Sequence, residues 1–87
     1  MMKVVRITAM WCMSCLVMKP RYDDVFAIFG IDDVKDYDYD IDDVERYQPG
    51  DILPVVIFYD EQKEIGRVIG EHSKKSLKQL IAKQIKK

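Results

Sequence analysis

Five consecutive β-branched or aromatic residues at positions 55–59 (Val-Val-Ile-Phe-Tyr) limit the fold of this chain more than any other segment. Such a run is typical of a strand that is buried on both faces. The 87 residues allow only one domain with a modest core, so this strand has to lie inside one small sheet. We therefore predict a single domain over residues 1–87.

Three further strands are predicted from the patterns around this run. In residues 3–9, apolar side chains at every second position share one face. In residues 31–41, two tyrosines and Ile41 alternate with aspartates, which is typical of a strand with one buried face. Residues 64–69 follow a polar turn at 60–63, and we expect them to pair back as a hairpin.

Two helices complete the pattern. Residues 13–29 have helical spacing and end at Gly30, and Pro20 inside this helix should kink it. Ser73 is a good N-cap for the last helix. The apolar stripes expected to face the core are Leu16, Val17, Val25, Phe26 and Phe29 in the first helix and Leu77, Leu80, Ile81 and Ile85 in the second.

The order of elements is therefore β-α-β-(short α)-β-β-α, because residues 43–47 allow about one turn of helix. This order predicts an α/β fold with a central mixed sheet of four strands, covered by helices.

Cys12 and Cys15 are the only cysteines, and they lie where the first strand ends and the first helix begins. Unpaired backbone N–H groups and the positive end of the helix dipole favour a thiolate at Cys12. Cys15 lies one turn further on the same side, within reach of the Cys12 sulfur. This geometry favours Cys12 as the nucleophile and Cys15 as the resolving thiol in disulfide exchange.

Metal binding and a purely structural role are the alternatives for this pair. A zinc or iron–sulfur site needs about four ligands, and besides the cysteines only His72 and carboxylates are available, so a metal would have to bridge two chains. A structural pair is disfavoured because a strand-to-helix corner is partly exposed. We predict no metal and no organic cofactor, only a redox-active Cys12–Cys15 disulfide.

The charge distribution argues against nucleic-acid and membrane partners. The net charge is −1, and the C-terminal lysines lie in and after the closing turns of a helix, where they favour its dipole without interleaved aromatic or Arg residues. No apolar run approaches the ~20 residues of a membrane span, and the N-terminus lacks a signal-peptide pattern. The C-terminal lysines are Lys74, Lys75, Lys78, Lys83, Lys86 and Lys87. From the absence of a membrane span and of a signal-peptide pattern, we expect a cytoplasmic protein.

Together these features resemble the thioredoxin superfamily over nearly the whole chain. Trp11-Cys12-x-x-Cys15, with Pro20 five residues later, is similar to the active-site helix and its kinking proline. Tyr39-Asp40-Ile41-Asp42 resembles the central strand of the family, and Ile52-Leu53-Pro54 resembles the segment that carries its cis-proline. Val68-Ile69-Gly70 and residues 73–80 resemble the family's glycine and final helix.

The resemblance implies exchange with disulfides of other proteins, with an upstream disulfide reductase restoring the dithiol of a monomeric enzyme. We expect it to act as a reductase; oxidant or isomerase chemistry and a non-catalytic binding module stay open. By resemblance, Pro54 would be cis and face the cysteines, and the Leu53 backbone would pair with an extended substrate. The implied substrate groove consists of Trp11, Met13, Ser14, Leu53, Pro54 and Gly70.

Several positions depart from the family pattern. The chain lacks the first strand and helix of thioredoxin, and Gly70-Glu71-His72 replaces the residues with which glutaredoxins grip glutathione, so glutathione dependence is disfavoured. Thioredoxin has a buried acid six residues before its first cysteine, where this chain has Arg6. A cation beneath the cysteines would stabilise thiolates and make the disulfide more oxidising. Alternatively, Arg6 reaches the surface or pairs with an aspartate.

Overall fold

The computed structural model describes residues 2–85, so Met1, Lys86 and Lys87, at the ends of the predicted domain, lie outside the described residues. The predicted order of elements is confirmed. Along the chain these are β1 (Met2–Thr8), α1 (Met13–Phe29), β2 (Val34–Asp38), a 3₁₀ turn (Glu45–Tyr47), β3 (Val55–Asp60), β4 (Lys63–Ile69) and α2 (Lys74–Ile85).

The four strands form one mixed sheet, as predicted, and their order in the sheet is β2-β1-β3-β4. β1 pairs in parallel with β2 and antiparallel with β3, while β3 and β4 form the antiparallel hairpin. α1 makes the crossover that two neighbouring parallel strands require. β2 and β4 are consequently the edge strands, and the carboxyl end of β1 delivers the chain to the cysteine segment.

Both helices pack on one face of the sheet. The side chains buried there are Val4, Met18, Tyr22, Val25, Phe26, Val56, Phe58, Val68, Leu77 and Ile81. The predicted stripe of α1 was partly wrong, because Leu16 and Val17 are exposed. The buried seam instead passes through Met18 and Tyr22, which follow Cys15 at intervals of three and four residues. The predicted stripe of α2 also ends early, since Ile85 is exposed. The expected position of the lysines in the closing turns of this helix was wrong for Lys74 and Lys75, which lie in its first turn because the helix begins directly after Ser73.

The opposite face of the sheet is covered by the connection between β2 and β3. Val5, Ile7 and Ala9 of the first predicted strand point to this side, as expected from their alternation, and they pack with both cysteines. The remaining buried members of this cluster are Val44, Leu53, Val55 and Ile57. The cysteines therefore belong to the smaller core, beneath the loop that leads into β3.

The second predicted strand ends earlier than its alternation suggested. Residues 39–42 form a turn, and Ile41 is exposed, so both its predicted burial and the likeness of Tyr39-Asp40-Ile41-Asp42 to a central strand were wrong. The Asp38 Oδ1 accepts hydrogen bonds from the N–H groups of Asp40 and Ile41 at 2.8 and 3.2 Å. Short aspartate side chains commonly take backbone N–H groups away from a strand in this manner.

Three local predictions are confirmed at the element ends. Gly30 ends α1 in the left-handed region with φ 69°, which glycine adopts without steric cost. The Ser73 Oγ accepts the N–H of Ser76 at 3.1 Å and so caps α2. The peptide bond between Leu53 and Pro54 is cis, as the resemblance implied.

Candidate active site

Cys12 occupies the N-cap of α1. Its backbone is extended (φ −92°, ψ 106°), and its Sγ accepts the N–H of Cys15 at 3.1 Å. The sulfur thus satisfies one of the backbone N–H groups that a helix leaves unpaired at its start, where the dipole also favours negative charge. Both cysteines are free thiols, and Cys12 is 8% exposed. The two sulfur-bearing residues lie at the helix end, as predicted.

Cys15 is the more deeply buried thiol, with 4% of its surface exposed. Burial is the main cause that raises the pKa of Cys15 to about 12, and the hydrogen bond and charge of Cys12 contribute to this rise. Burial acts in this direction because a low-dielectric environment disfavours the charged form. Cys15 is therefore protonated at neutral pH in the dithiol form.

The cis-proline segment lies beside the cysteine pair. Leu53 packs in the same cluster as Cys12 and Cys15. The Gly70 N–H donates to the Pro54 carbonyl at 2.9 Å, which joins the proline segment to the end of β4. Gly70 has φ 84°, and a Cβ at this position would lie 3.6 Å from Ile52 Cγ2. The structure therefore brings the predicted groove residues Leu53, Pro54 and Gly70 to one side of the cysteines.

Trp11 is 60% exposed and is held by the turn after β2. Its Nε1–H donates to Asp40 Oδ2 at 2.6 Å, and its ring meets Tyr39 edge-on with centroids 6.3 Å apart. Asp40 and Tyr39 were not predicted as site residues, because their alternation is typical of a strand. The aspartates that end β2 are the signal that could have revealed the turn.

Met13 and Ser14, the two residues between the cysteines, face outward. Met13 is exposed, and the Ser14 Oγ donates to Glu71 Oε1 at 3.2 Å. Glu71 follows Gly70, so this bond joins the start of α1 to the connection before α2. In the sequence, Glu71 is notable only as a departure from glutaredoxins, and no local signal marks its contact with the site.

Arg6 is 4% exposed and pairs with two carboxylates. Its Nε and Nη2 donate to Asp36 at 2.6 and 3.2 Å, and its Nη1 donates to Asp23 at 3.0 Å. Burial lowers the pKa of Arg6, but the hydrogen bonds and charges of Asp36 and Asp23 outweigh it, so the pKa is raised overall. The guanidinium lies 6.0 Å from the Phe26 ring centroid, on the helix side of the sheet.

Of the two alternatives for Arg6, the structure therefore shows pairing with aspartates. Its charge is compensated by the two carboxylates, and its guanidinium lies on the helix side of the sheet, whereas the cysteines pack in the cluster on the other face. This arrangement does not support the hypothesis that Arg6 acts as a cation beneath the cysteines.

Within residues 2–85, no three His, Cys, Asp or Glu side chains converge in a way that could hold a metal ion. Neither described helix combines the length and the apolar character needed to cross a membrane.

Comparisons with known proteins agree with this geometry. A sequence model of the Thioredoxin family matches residues 1–83, while no curated protein matches significantly. The fold is similar to thioredoxin from Trypanosoma brucei brucei, with a TM-score of 0.83 and 25% identity over 100% of this chain and 77% of the other. It is also similar to Fasciola hepatica thioredoxin, with a TM-score of 0.79 and 20% identity over 95% and 80% of the two chains. For thioredoxin 1 from Thermosipho africanus, the TM-score is 0.76 and the identity 22%, over 97% and 94%.

Proposed function

Because the chain belongs to the thioredoxin family, whose fold and motif support thiol–disulfide oxidoreductase activity in general, we propose that it reduces disulfides of other proteins. One observation carries this proposal: the Cys12 sulfur caps α1 and accepts the Cys15 N–H at 3.1 Å. Reactive cysteines commonly lie at helix N-termini, and the thiolate is the form that attacks a disulfide.

In the first step, the Cys12 thiolate attacks one sulfur of the client disulfide. The client S–S bond breaks, its second sulfur leaves as a thiolate that takes a proton from solvent, and a mixed disulfide forms. Cys12 loses its negative charge in this step. Two of the causes that raise the pKa of Cys15, the hydrogen bond to Cys12 and the charge of Cys12, then disappear, so Cys15 loses its proton more readily.

In the second step, the Cys15 thiolate attacks the Cys12 sulfur. The mixed disulfide breaks, the client leaves with both sulfurs reduced, and Cys12 and Cys15 are joined by a disulfide. Two electrons have passed from this protein to the client. A further turnover needs an upstream disulfide reductase to restore the dithiol, and the proposal requires neither a metal nor an organic cofactor. We propose the cytoplasm as its location because thiols are kept reduced there.

Two variants test these roles, and each replaces one cysteine sulfur by oxygen. Cys12→Ser should abolish reduction of a protein disulfide, because the nucleophile is lost. Cys15→Ser should also stop turnover, but it should leave the client attached to Cys12 as a mixed disulfide that mass spectrometry detects. A wild-type protein that reduces no protein disulfide would instead fit a non-catalytic binding module.

The reduction potential tests the direction of electron flow. We expect a value near the roughly −270 mV that is typical of reductants, and a value near about −120 mV would assign the protein to the oxidants. The pairing of Arg6 with Asp23 and Asp36 supports the reductant, because it compensates the cation that would have favoured an oxidant.

A further inference from the structure

We propose that the groove beside Cys12 selects client segments with an apolar residue and a Lys or Arg close to the cysteine under attack. This inference rests on the proposed function and names its substrate class. It follows from two properties of the surface around the cysteine pair: large apolar side chains are exposed there, and carboxylates border them.

The apolar part of this surface surrounds the cysteine segment. Met10 and Trp11 precede Cys12 and are 82% and 60% exposed, and Met13 and Leu16 in the first turns of α1 are exposed as well. Ile52, which contacts the Gly70 side of the groove, is also exposed. Large apolar side chains that remain in water around a reactive group are typical of a binding surface.

Two carboxylates are hydrogen-bonded to groove residues, and a third is next to Ile52 in the sequence. Asp40 accepts the Trp11 Nε1–H, and Glu71 accepts the Ser14 hydroxyl. Asp51 immediately precedes Ile52 and is exposed. Carboxylates therefore lie at the tryptophan side, at the start of α1 and at the proline segment.

A cavity of about 620 Å³ continues the groove on the loop side. Tyr39, which contacts the Trp11 ring, and Val44, which packs with both cysteines, belong to its lining and connect it to the site. Its acidic lining residues are Asp42, Asp43, Glu45 and Asp51, and no Lys or Arg among the described residues lines it.

None of Asp40, Asp51 and Glu71 forms an ion pair within residues 2–85, where the acidic partners of ion pairs are Asp23, Asp24, Asp36 and Glu64. A positively charged client residue would meet carboxylates that have no ion-pair partner in the described part of the chain, whereas a negatively charged one would be repelled. Charges at the rim of an interface act mainly on the association rate and on its dependence on salt.

The test uses three peptides that share one cysteine and one apolar neighbour and differ in two flanking residues, which are Lys, Gln or Glu. Each is linked by a disulfide to the same thiol chromophore, and stopped-flow absorbance follows release of the chromophore by the reduced protein. We expect the Lys peptide to react about tenfold faster than the Glu peptide at low salt, with the Gln peptide between them. In high salt the difference should fall to about twofold or less.

Matched variants locate the effect. Asp51→Asn combined with Glu71→Gln should reduce the low-salt preference to roughly threefold or less, because two of the carboxylates lose their charge. The control combines Asp32→Asn with Asp33→Asn, which changes the net charge equally at the opposite end of β2, and it should keep the full preference.

The outcomes separate this inference from the proposed function. Equal rates for the three peptides, or a preference for the Glu peptide, would overturn the selectivity and leave disulfide exchange intact. If the control variant with Asp32→Asn and Asp33→Asn also loses the preference for the Lys peptide, the preference arises from net charge and the role of the groove is overturned. A protein that releases no chromophore from any peptide would overturn the proposed function itself.

Discussion

At the scale of single residues, burial separates groups that the sequence presents as equivalent. Cys12 and Cys15 are the same residue type three positions apart, but burial and the neighbouring Cys12 raise the pKa of Cys15 to about 12, while the Cys12 sulfur accepts a helix N–H. The different roles proposed for them rest on these environments. Helix polarity suggested the proposed roles from the sequence alone, whereas Cys15 is buried in a cluster that includes Val44 and Leu53, which lie far away in the chain.

Arg6 supplies a prediction at this scale. Its guanidinium is buried, but Asp23 and Asp36 are 55% and 53% exposed. Arg6→Met leaves two carboxylates that can turn to water, so we expect it to lower the free energy of unfolding by only about 1–2 kcal/mol. Asp23→Asn combined with Asp36→Asn leaves the buried cation without a charged partner and should cost about 3–5 kcal/mol.

Urea denaturation of the wild-type protein, the Arg6→Met variant and the double variant, all with reduced cysteines, measures the difference between these two losses of stability. Asp24→Asn is a suitable control for the double variant, because Asp24 is exposed and pairs only with the exposed Lys74. An Arg6→Met protein that is less stable than the double variant would show that the arginine contributes mainly through its packing on Phe26.

At the scale of secondary-structure elements, the continuous apolar run predicted its strand reliably, whereas the alternation of apolar residues with aspartates did not. β3 was predicted within one residue because five β-branched or aromatic residues in a row have few alternatives to a buried strand. The alternation of Tyr37, Tyr39 and Ile41 with aspartates predicted a strand that was too long, because aspartate side chains compete for backbone N–H groups. This competition ended β2 at Asp38 and created the turn that holds Trp11.

Arg67 on β4 provides the prediction for this scale, because it links β4 to the end of the 3₁₀ turn. Its guanidinium donates to both Glu64 oxygens at 2.8 Å and to the carbonyls of Tyr47 and Gln48 at 3.1 Å. Arg67→Met should lower the free energy of unfolding by about 1–2 kcal/mol and increase hydrogen exchange in the 3₁₀ turn, since two backbone carbonyls lose their donor.

Arg46→Met is the matched control for Arg67. It also removes one guanidinium from this part of the surface, but Arg46 is exposed and bonds to the side chains of Tyr47 and Tyr37 instead of to backbone carbonyls. We expect this variant to change stability by less than about 0.5 kcal/mol. Equal losses in the two variants would contradict the linking role of Arg67.

At the scale of the whole molecule, the fold was predictable and the detailed surface of the site was not. The order of elements and the motif around Cys12 are local properties of the sequence. The contacts of Trp11 with Asp40 and of Ser14 with Glu71 join residues 29 and 57 positions apart, and nothing local marks them. Such pairings arise only when the sheet order brings distant loops to the same edge.

The edges of the sheet lead to a prediction about assembly. β2 is a short edge strand that carries Lys35, Asp36 and Asp38, and the other edge strand begins with Lys63 and Glu64. Charged side chains on short edge strands oppose pairing with a second chain. We therefore expect sedimentation velocity to show a monomer throughout the micromolar range.

Removing one edge charge tests the physical reason for this state. Lys35→Val places two valines side by side at the start of β2, and we expect this variant to associate as its concentration rises, because an apolar edge can pair with another strand. Lys19→Val adds the same apolar side chain and removes the same charge on the exposed surface of α1, and it should stay monomeric. Equal association of both variants would assign the effect to surface hydrophobicity, and a dimeric wild-type protein would show that the charged edges do not keep the chains apart.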